Sequence, residues 1–238
     1  MQTDGHDIDR REFLMKMVSA GVVGSMVSTA LVQRVFAMGA AGKLSPGVQK
    51  MQGTVMINGV QAQIGTPVAA GDVITTGSAS HAVVIVDQDV YLIRENSRIE
   101  LVRDKGEQAS ASERVVRSLK VTAGRILSVF GPGAKRIETV SAVAGVRGTG
   151  VYVEIMDDIT YLCLCYGKAD IDPKAYPANR VSLETTHHES PFYILPAGMK
   201  RGILRAPVIN HTDEEVIMLE SLVGRVPPFG KKPLPYGY

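Results

Sequence analysis

The chain contains no tryptophan, and its aromatic residues together make up only 5% of 238 positions. That scarcity argues against a sugar-stacking platform or an aromatic-lined cofactor pocket, since both are built from large ring surfaces. There are only two cysteines, too few for a disulfide framework in a chain of this length. No basic run reaches five residues and the formal net charge is +2, so nothing in the charge pattern makes an electrostatic case for a nucleic-acid partner. Long apolar runs are also missing. The longest, Val18 to Val32, is 15 residues and is interrupted by Gly21, Gly24, Ser25, Ser28 and Thr29. A spanning helix needs roughly 20 predominantly apolar residues.

What is present begins with an export signal. "DRREFLMK" (Asp9–Lys16) leads into that short apolar run, and the run exits through "QRVFAMGAAGK". A positive n-region, a short h-region and a small-residue exit follow the order of a secretory signal. Arg10 and Arg11, with Phe13 and Leu14 after them, resemble the twin-arginine signal of bacteria, whose translocase carries cargo already folded. The resemblance implies a periplasmic protein, in contact with the membrane only through the N-terminal segment if that segment is not cleaved. Cleavage after Gly39 removes four positive and four negative charges and leaves about 199 residues near neutrality. The domain reading is residues 1–39 as signal, 40–52 as linker, 53–172 as a β domain, and 173–238 as an extension with a helix near 212–223.

The β assignment comes from punctuation. A strand from Thr54 to Ile57 meets Asn58-Gly59, the dipeptide most typical of a tight hairpin. Further short apolar runs follow, each ended by turn residues such as Gly71-Asp72, Thr76-Gly77-Ser78 and Asp87–Asp89. Spacings near ten residues with a turn at every break predict a mainly-β fold, a sandwich or jelly-roll-like arrangement. No helical period is visible between Thr54 and Ile171.

The ordered series "GDVITTG" (Gly71–Gly77), "ENSRIEL" (Glu95–Leu101), "SLKVTAGRI" (Ser118–Ile126) and "ETVSAVAGVRGTGVYVE" (Glu138–Glu154) resembles the FecR-type domain of bacteria. That resemblance spans residues 53–172 and implies a periplasmic β domain whose best-known members are sensors controlling a sigma factor. Only 17 residues precede the apolar run here, too few for a sigma-binding domain, and they carry the export motif. What the resemblance implies for this chain is a binding or sensing module whose partner is an envelope protein or a small ligand, and not an enzyme. A membrane-tethered signalling regulator is the variant with an uncleaved N-terminus.

"AGVRGTG" (Ala144–Gly150) looks like a phosphate loop, but "VYVEI" follows it and reads as strand, whereas a phosphate cradle opens a helix. Its glycines therefore read as turns or bulges. Arg147 either pairs with a buried carboxylate such as Asp72 or faces a ligand. In the extension, "VSLETT" and "PFYIL" read as short strands. "HTDEEVIMLESLVG" reads as a helix with Thr212 and Glu215 as capping box, a Val216, Leu219, Leu222, Val223 stripe, and Gly224 as stop.

The two cysteines lie in "YLCLCYGKAD" (Tyr161–Asp170). Strand alternation points Cys163 and Cys165 the same way, about 7 Å apart along the strand, beyond normal disulfide reach. Two readings stay open. They are small buried residues of a core, or they are soft ligands, since an oxidising compartment disfavours adjacent thiols that are neither buried nor bound. His187 and His188 lie at the end of a strand shortly after Cys165 and are the candidate co-ligands, with His211 ranked behind them. Thiolate plus imidazole suits zinc or copper. A metalloenzyme or redox protein centred on Cys163 and Cys165 is the competing class. A Cys/His nucleophile lacks the strand-to-helix elbow or oxyanion loop it would need.

Overall fold

The computed structural model describes residues 45–103 and 116–230. The export residues Arg10, Arg11, Phe13 and Leu14 lie outside the described residues, as does the proline-rich tail from residue 231. The strands are β1 (Gly47–Gln52), β2 (Val55–Ile57), β3 (Val60–Gln61), β4 (Val73–Thr76), β5 (His81–Val86), β6 (Asp89–Ile93) and β7 (Arg98–Arg103). They continue with β8 (Val116–Val129), β9 (Ala134–Glu138), β10 (Ala142–Met156), β11 (Ile159–Pro173), β12 (Val181–Thr185), β13 (Phe192–Ile194) and β14 (Ile203–Arg205). Among the described residues a 3-10 turn at Pro177–Asn179 and one α-helix, α1 (Asp213–Ser221), complete the set. The protein is mainly β, and all fourteen strands join one sheet.

The local signals act where they occur. Asn58 and Gly59 both take positive φ, +52° and +81°, the conformation a two-residue hairpin loop demands, and Ile57 pairs with Val60 across it. The segment read as linker is corrected in its second half: Gly47–Gln52 is β1, paired antiparallel with β5 from Gly47↔Ile85 to Gln52↔His81. Val48 is buried there, so the strand closes an edge that β5 would otherwise expose.

Three long strands, β8, β10 and β11, carry the sheet around on itself. The first half of β8 pairs with β7 and its second half with β6. The first half of β10 pairs with β9 and its second half with β8. Inside the fold a core gathers Ala82, Val84, Tyr91, Ile93, Ile126, Val151, Val153, Leu162 and Leu164. The alternate residues of the same strands, Val83, Ile85, Val90, Leu92, Leu127, Tyr152, Tyr161 and Cys163, face a second core closed by the C-terminal segment. A layer buried on both faces explains why "AVVIV" and "YLCLC" run apolar without alternation.

The extension is built onto that layer. β12 and β13 both pair with β11, and β14 pairs with β13; β14 has no clear strand signature in sequence. Helix α1 starts on the capping box read from the sequence: Glu215 N donates to Thr212 Oγ1 at 3.4 Å, and Thr212 N donates to Glu215 Oε2 at 3.0 Å. Val216, Leu219 and Leu222 are buried with Met218, which the stripe did not include, and Val223 is half-buried. Thr212→Ala is expected to lower stability by about 1 kcal/mol, read as a shifted urea midpoint at constant slope. An unchanged midpoint would mean that Glu215 and the docked face alone hold the helix start. Among the described residues no helix is long and apolar enough to cross a membrane.

Candidate metal centre

The site starts from an irregularity in the β10–β11 ladder. Val151 pairs with Leu164 and Gly150 pairs with Tyr166, so Cys165 is an extra residue on β11. Such a bulge turns consecutive side chains to one face. Cys163, Cys165 and Tyr166 accordingly all belong to the core beneath the C-terminal segment. Gly150 is required at this point, because a Cβ there would stand 2.6 Å from the Tyr166 ring. The two thiols are free and fully buried.

Two histidines reach them from different elements. His188 follows β12 in a left-handed conformation, φ +50°, and its amide donates to Cys165 O at 3.0 Å, which ties its loop to β11. Its Nδ1 lies 3.5 Å from Cys163 Sγ. His211 precedes the helix cap, stacks on Tyr152 at 4.5 Å between ring centroids, and brings Nε2 to 3.0 Å from His188 Nδ1. The Tyr161 hydroxyl donates to Pro207 O at 2.9 Å and accepts from Ile209 N at 3.2 Å, which pins the segment that carries His211. Ligand atoms of Cys163, Cys165, His188 and His211 all lie within 4.8 Å of one another.

Outer contacts fix the rings. His211 Nδ1 is 2.7 Å from Ile209 O, which places its proton on Nδ1 and leaves the Nε2 lone pair facing the thiols. Asp213 Oδ1 is 3.1 Å from His188 Nε2, close enough to pair electrostatically although off the line of a good hydrogen bond, and it favours a proton on that nitrogen. The Cys165 thiol, against the opposing effect of burial, holds the Cys163 thiol well below its ordinary value, down to about 3. Burial and then the bond to Cys163 push the Cys165 thiol well above its ordinary value. Cys163 is thus the more acidic thiol of the pair.

No family model matches this chain, and no curated protein matches it either. Solved structures similar to it include two crystal structures of a candidate anti-sigma factor from Parabacteroides distasonis ATCC 8503. Identities are 14% and 13% and TM-scores 0.41 and 0.42, over 56% of this chain and 58% of those. The chain thus spans less than two thirds of the length of the structures it matches.

The donor set fits a soft cation. With metal–sulfur bonds near 2.3 Å and metal–nitrogen bonds near 2.0–2.1 Å, the edges of a tetrahedral site run from about 3.3 Å to about 3.8 Å. The Cys163–His188 separation of 3.5 Å lies inside that range and the His188–His211 separation of 3.0 Å just below it. With the protons favoured on the other two ring nitrogens, His188 Nδ1 and His211 Nε2 meet lone pair to lone pair and neither can donate, so a positive centre between them relieves the contact. Four protein ligands close the shell, which is the pattern of structural sites; catalytic zinc keeps one position open.

The other candidate residues lie elsewhere. His187 is outside the thiol cluster: its side chain is 52% exposed and its Nε2 pairs with Asp213 Oδ2 at 2.8 Å. Arg147 is exposed in a recess of about 310 Å³ with Lys168, Asp170 and Glu184, and Asp72 does not line it. Asp72 instead accepts from Asn58 Nδ2 and Ala69 N, both at 2.8 Å. Sequence reasoning missed Asp213, Tyr161 and the bulge. Asp213 is in sequence only an acidic residue in the first turn of a helix, and no local signal ties it to His188.

Proposed function

We propose that this chain is an exported, non-enzymatic binding or interaction module of FecR type, held together by one zinc or copper ion on Cys163, Cys165, His188 and His211. The observation that carries the metal reading is the convergence of those four ligand atoms within 4.8 Å from three separate elements. The ion ties β11 to the loop after β12 and to the segment before α1, and so fastens the C-terminal layer over an apolar face of the sheet. Binding to the folded state alone adds stability by mass action. The closed four-ligand shell supports a binding role over hydrolysis. An envelope protein or a small ligand is the partner this role implies.

Elemental analysis with intact mass, on protein recovered from periplasm without chelator, tests the metal and the signal cleavage together. One zinc or copper per chain is expected. Metal-free protein whose Cys163 alkylates rapidly at neutral pH would favour the nucleophile reading, for which the acidic Cys163 beside His188 is the supporting observation.

The export route is tested separately. Arg10→Lys with Arg11→Lys keeps the charge but removes the paired guanidinium groups, and the double variant is expected to disappear from the periplasm and accumulate inside the cell. Normal periplasmic levels would sink the twin-arginine assignment.

A further inference from the structure

The four-ligand centre has no direct way in. Cys163 and Cys165 are fully buried and His211 is only 7% exposed, with the aromatic and aliphatic side chains of the lower core around them. A bare dication cannot cross such a region, because the loss of hydration is not repaid until ligands replace it. It has to move by exchanging one ligand for another along a polar side. Among the described residues one such side leads outward. His188 is the ligand common to two groups: its Nδ1 faces Cys163 and His211, and its Nε2 faces Asp213. His187, His188 and Asp213 form a second set whose ligand atoms lie within 4.8 Å of one another. In that set His187 and Asp213 are 52% and 41% exposed, while the His188 side chain is 8% exposed and its Nε2 makes no well-aligned hydrogen bond.

We propose that His187 and Asp213 form a solvent-side exchange station through which a soft divalent ion reaches and leaves the buried centre, with His188 as the shared ligand and Phe229 as its cover. The cover is visible in the packing. The Phe229 ring lies 4.6 Å from the His187 ring and 5.4 Å from the His188 ring, and it meets Tyr166 edge-on at 6.2 Å. The segment bearing it is held by Arg225, which pairs with Glu220 and donates to Gln88 O at 2.7 Å. An incoming ion binds His187 and the Asp213 carboxylate first, passes to His188 as that ring turns, and is then taken by the two thiols and His211. The Cys165 proton leaves to solvent as the last sulfur binds.

This inference rests on the metal reading above. Its test uses the full mature chain, loaded with zinc(II) or cobalt(II) in stopped flow and stripped by a chromogenic chelator in excess. His187→Ala removes a ligand of the station and none of the centre, so loading and release are both expected to slow by the same factor, because the lost exchange step is common to both directions. Stoichiometry and equilibrium affinity should hold. Phe229→Ala should speed both directions, again without change in stoichiometry. Wild-type rates in both variants would overturn the route while leaving the centre intact. Loss of stoichiometric metal in His187→Ala would also overturn it, by making His187 a ligand of the centre. A wild type that binds neither ion defeats the metal reading and the route with it.

Discussion

Cys163→Ser and Cys165→Ser are each expected to take bound metal from one ion per chain to none, and the double substitution is expected to do no more than either alone. A tetrahedral site that has lost one soft ligand has lost its geometry, so the two positions behave as a unit and their effects do not add. The structure adds a reason for that coupling. Cys165 is the bulged residue whose thiol lies 3.9 Å from the Cys163 carbonyl, and Cys163 Sγ lies 3.5 Å from His188, so each change breaks one of two contacts that meet at Cys163. The rival account makes the cysteines mere occupants of the lower core. Each serine would then bury an unsatisfied hydroxyl at about 1–3 kcal/mol, nearly independently, with metal content untouched. Elemental analysis of the three variants beside urea unfolding separates the accounts. Stoichiometric metal that survives in Cys163→Ser would place the ion elsewhere.

The second large effect is expected at Glu215. Arg94 Nη2 lies 2.9 Å from both Glu215 carboxylate oxygens, and the two side chains are only 3% and 4% exposed. The same carboxylate accepts from Thr212 N and so also closes the helix cap. Arg94 belongs to the chain just after β6 and Glu215 to α1, so the pair fastens the C-terminal helix to the sheet. Glu215→Ala should cost about 3–5 kcal/mol, because it takes the bidentate carboxylate away from a charge that has almost no access to water. The Tyr152 ring, 5.8 Å from the Arg94 guanidinium, can stabilise that cation only in part. Chemical unfolding at neutral pH reads the loss. A change under about 1 kcal/mol would mean that water or another acceptor replaces the carboxylate, and the helix would then be held by Val216, Leu219 and Leu222 alone.

Several local features were legible before any fold was known. The Asn58-Gly59 hairpin, the Thr212–Glu215 capping box and the shared face of Cys163 and Cys165 depend on dihedral preferences and side-chain periods acting over a few residues. The mainly-β class follows from many such signals in series. The Arg147–Asp72 pairing failed because nothing local says which end of a bulged strand meets solvent. The linker at 40–52 hid β1 because a short edge strand shows its partner only once β5 is in place.

Short-range preferences along the chain therefore set the identity of its elements and the direction in which each local run of side chains points. Tertiary structure alone decided that His211 joins the thiols and His187 does not. That choice follows from the Tyr161 hydroxyl gripping residues 207 and 209, and from Asp213 holding both neighbouring histidines from the far side. It also follows from a bulge opposite Gly150 that turns Tyr166 onto the face Cys163 and Cys165 already share, closing that side of the cluster. Each of these contacts joins residues that are distant in the chain, and their register is set by burying both faces of one layer of the sheet. Local propensity carries no information about packing of that range.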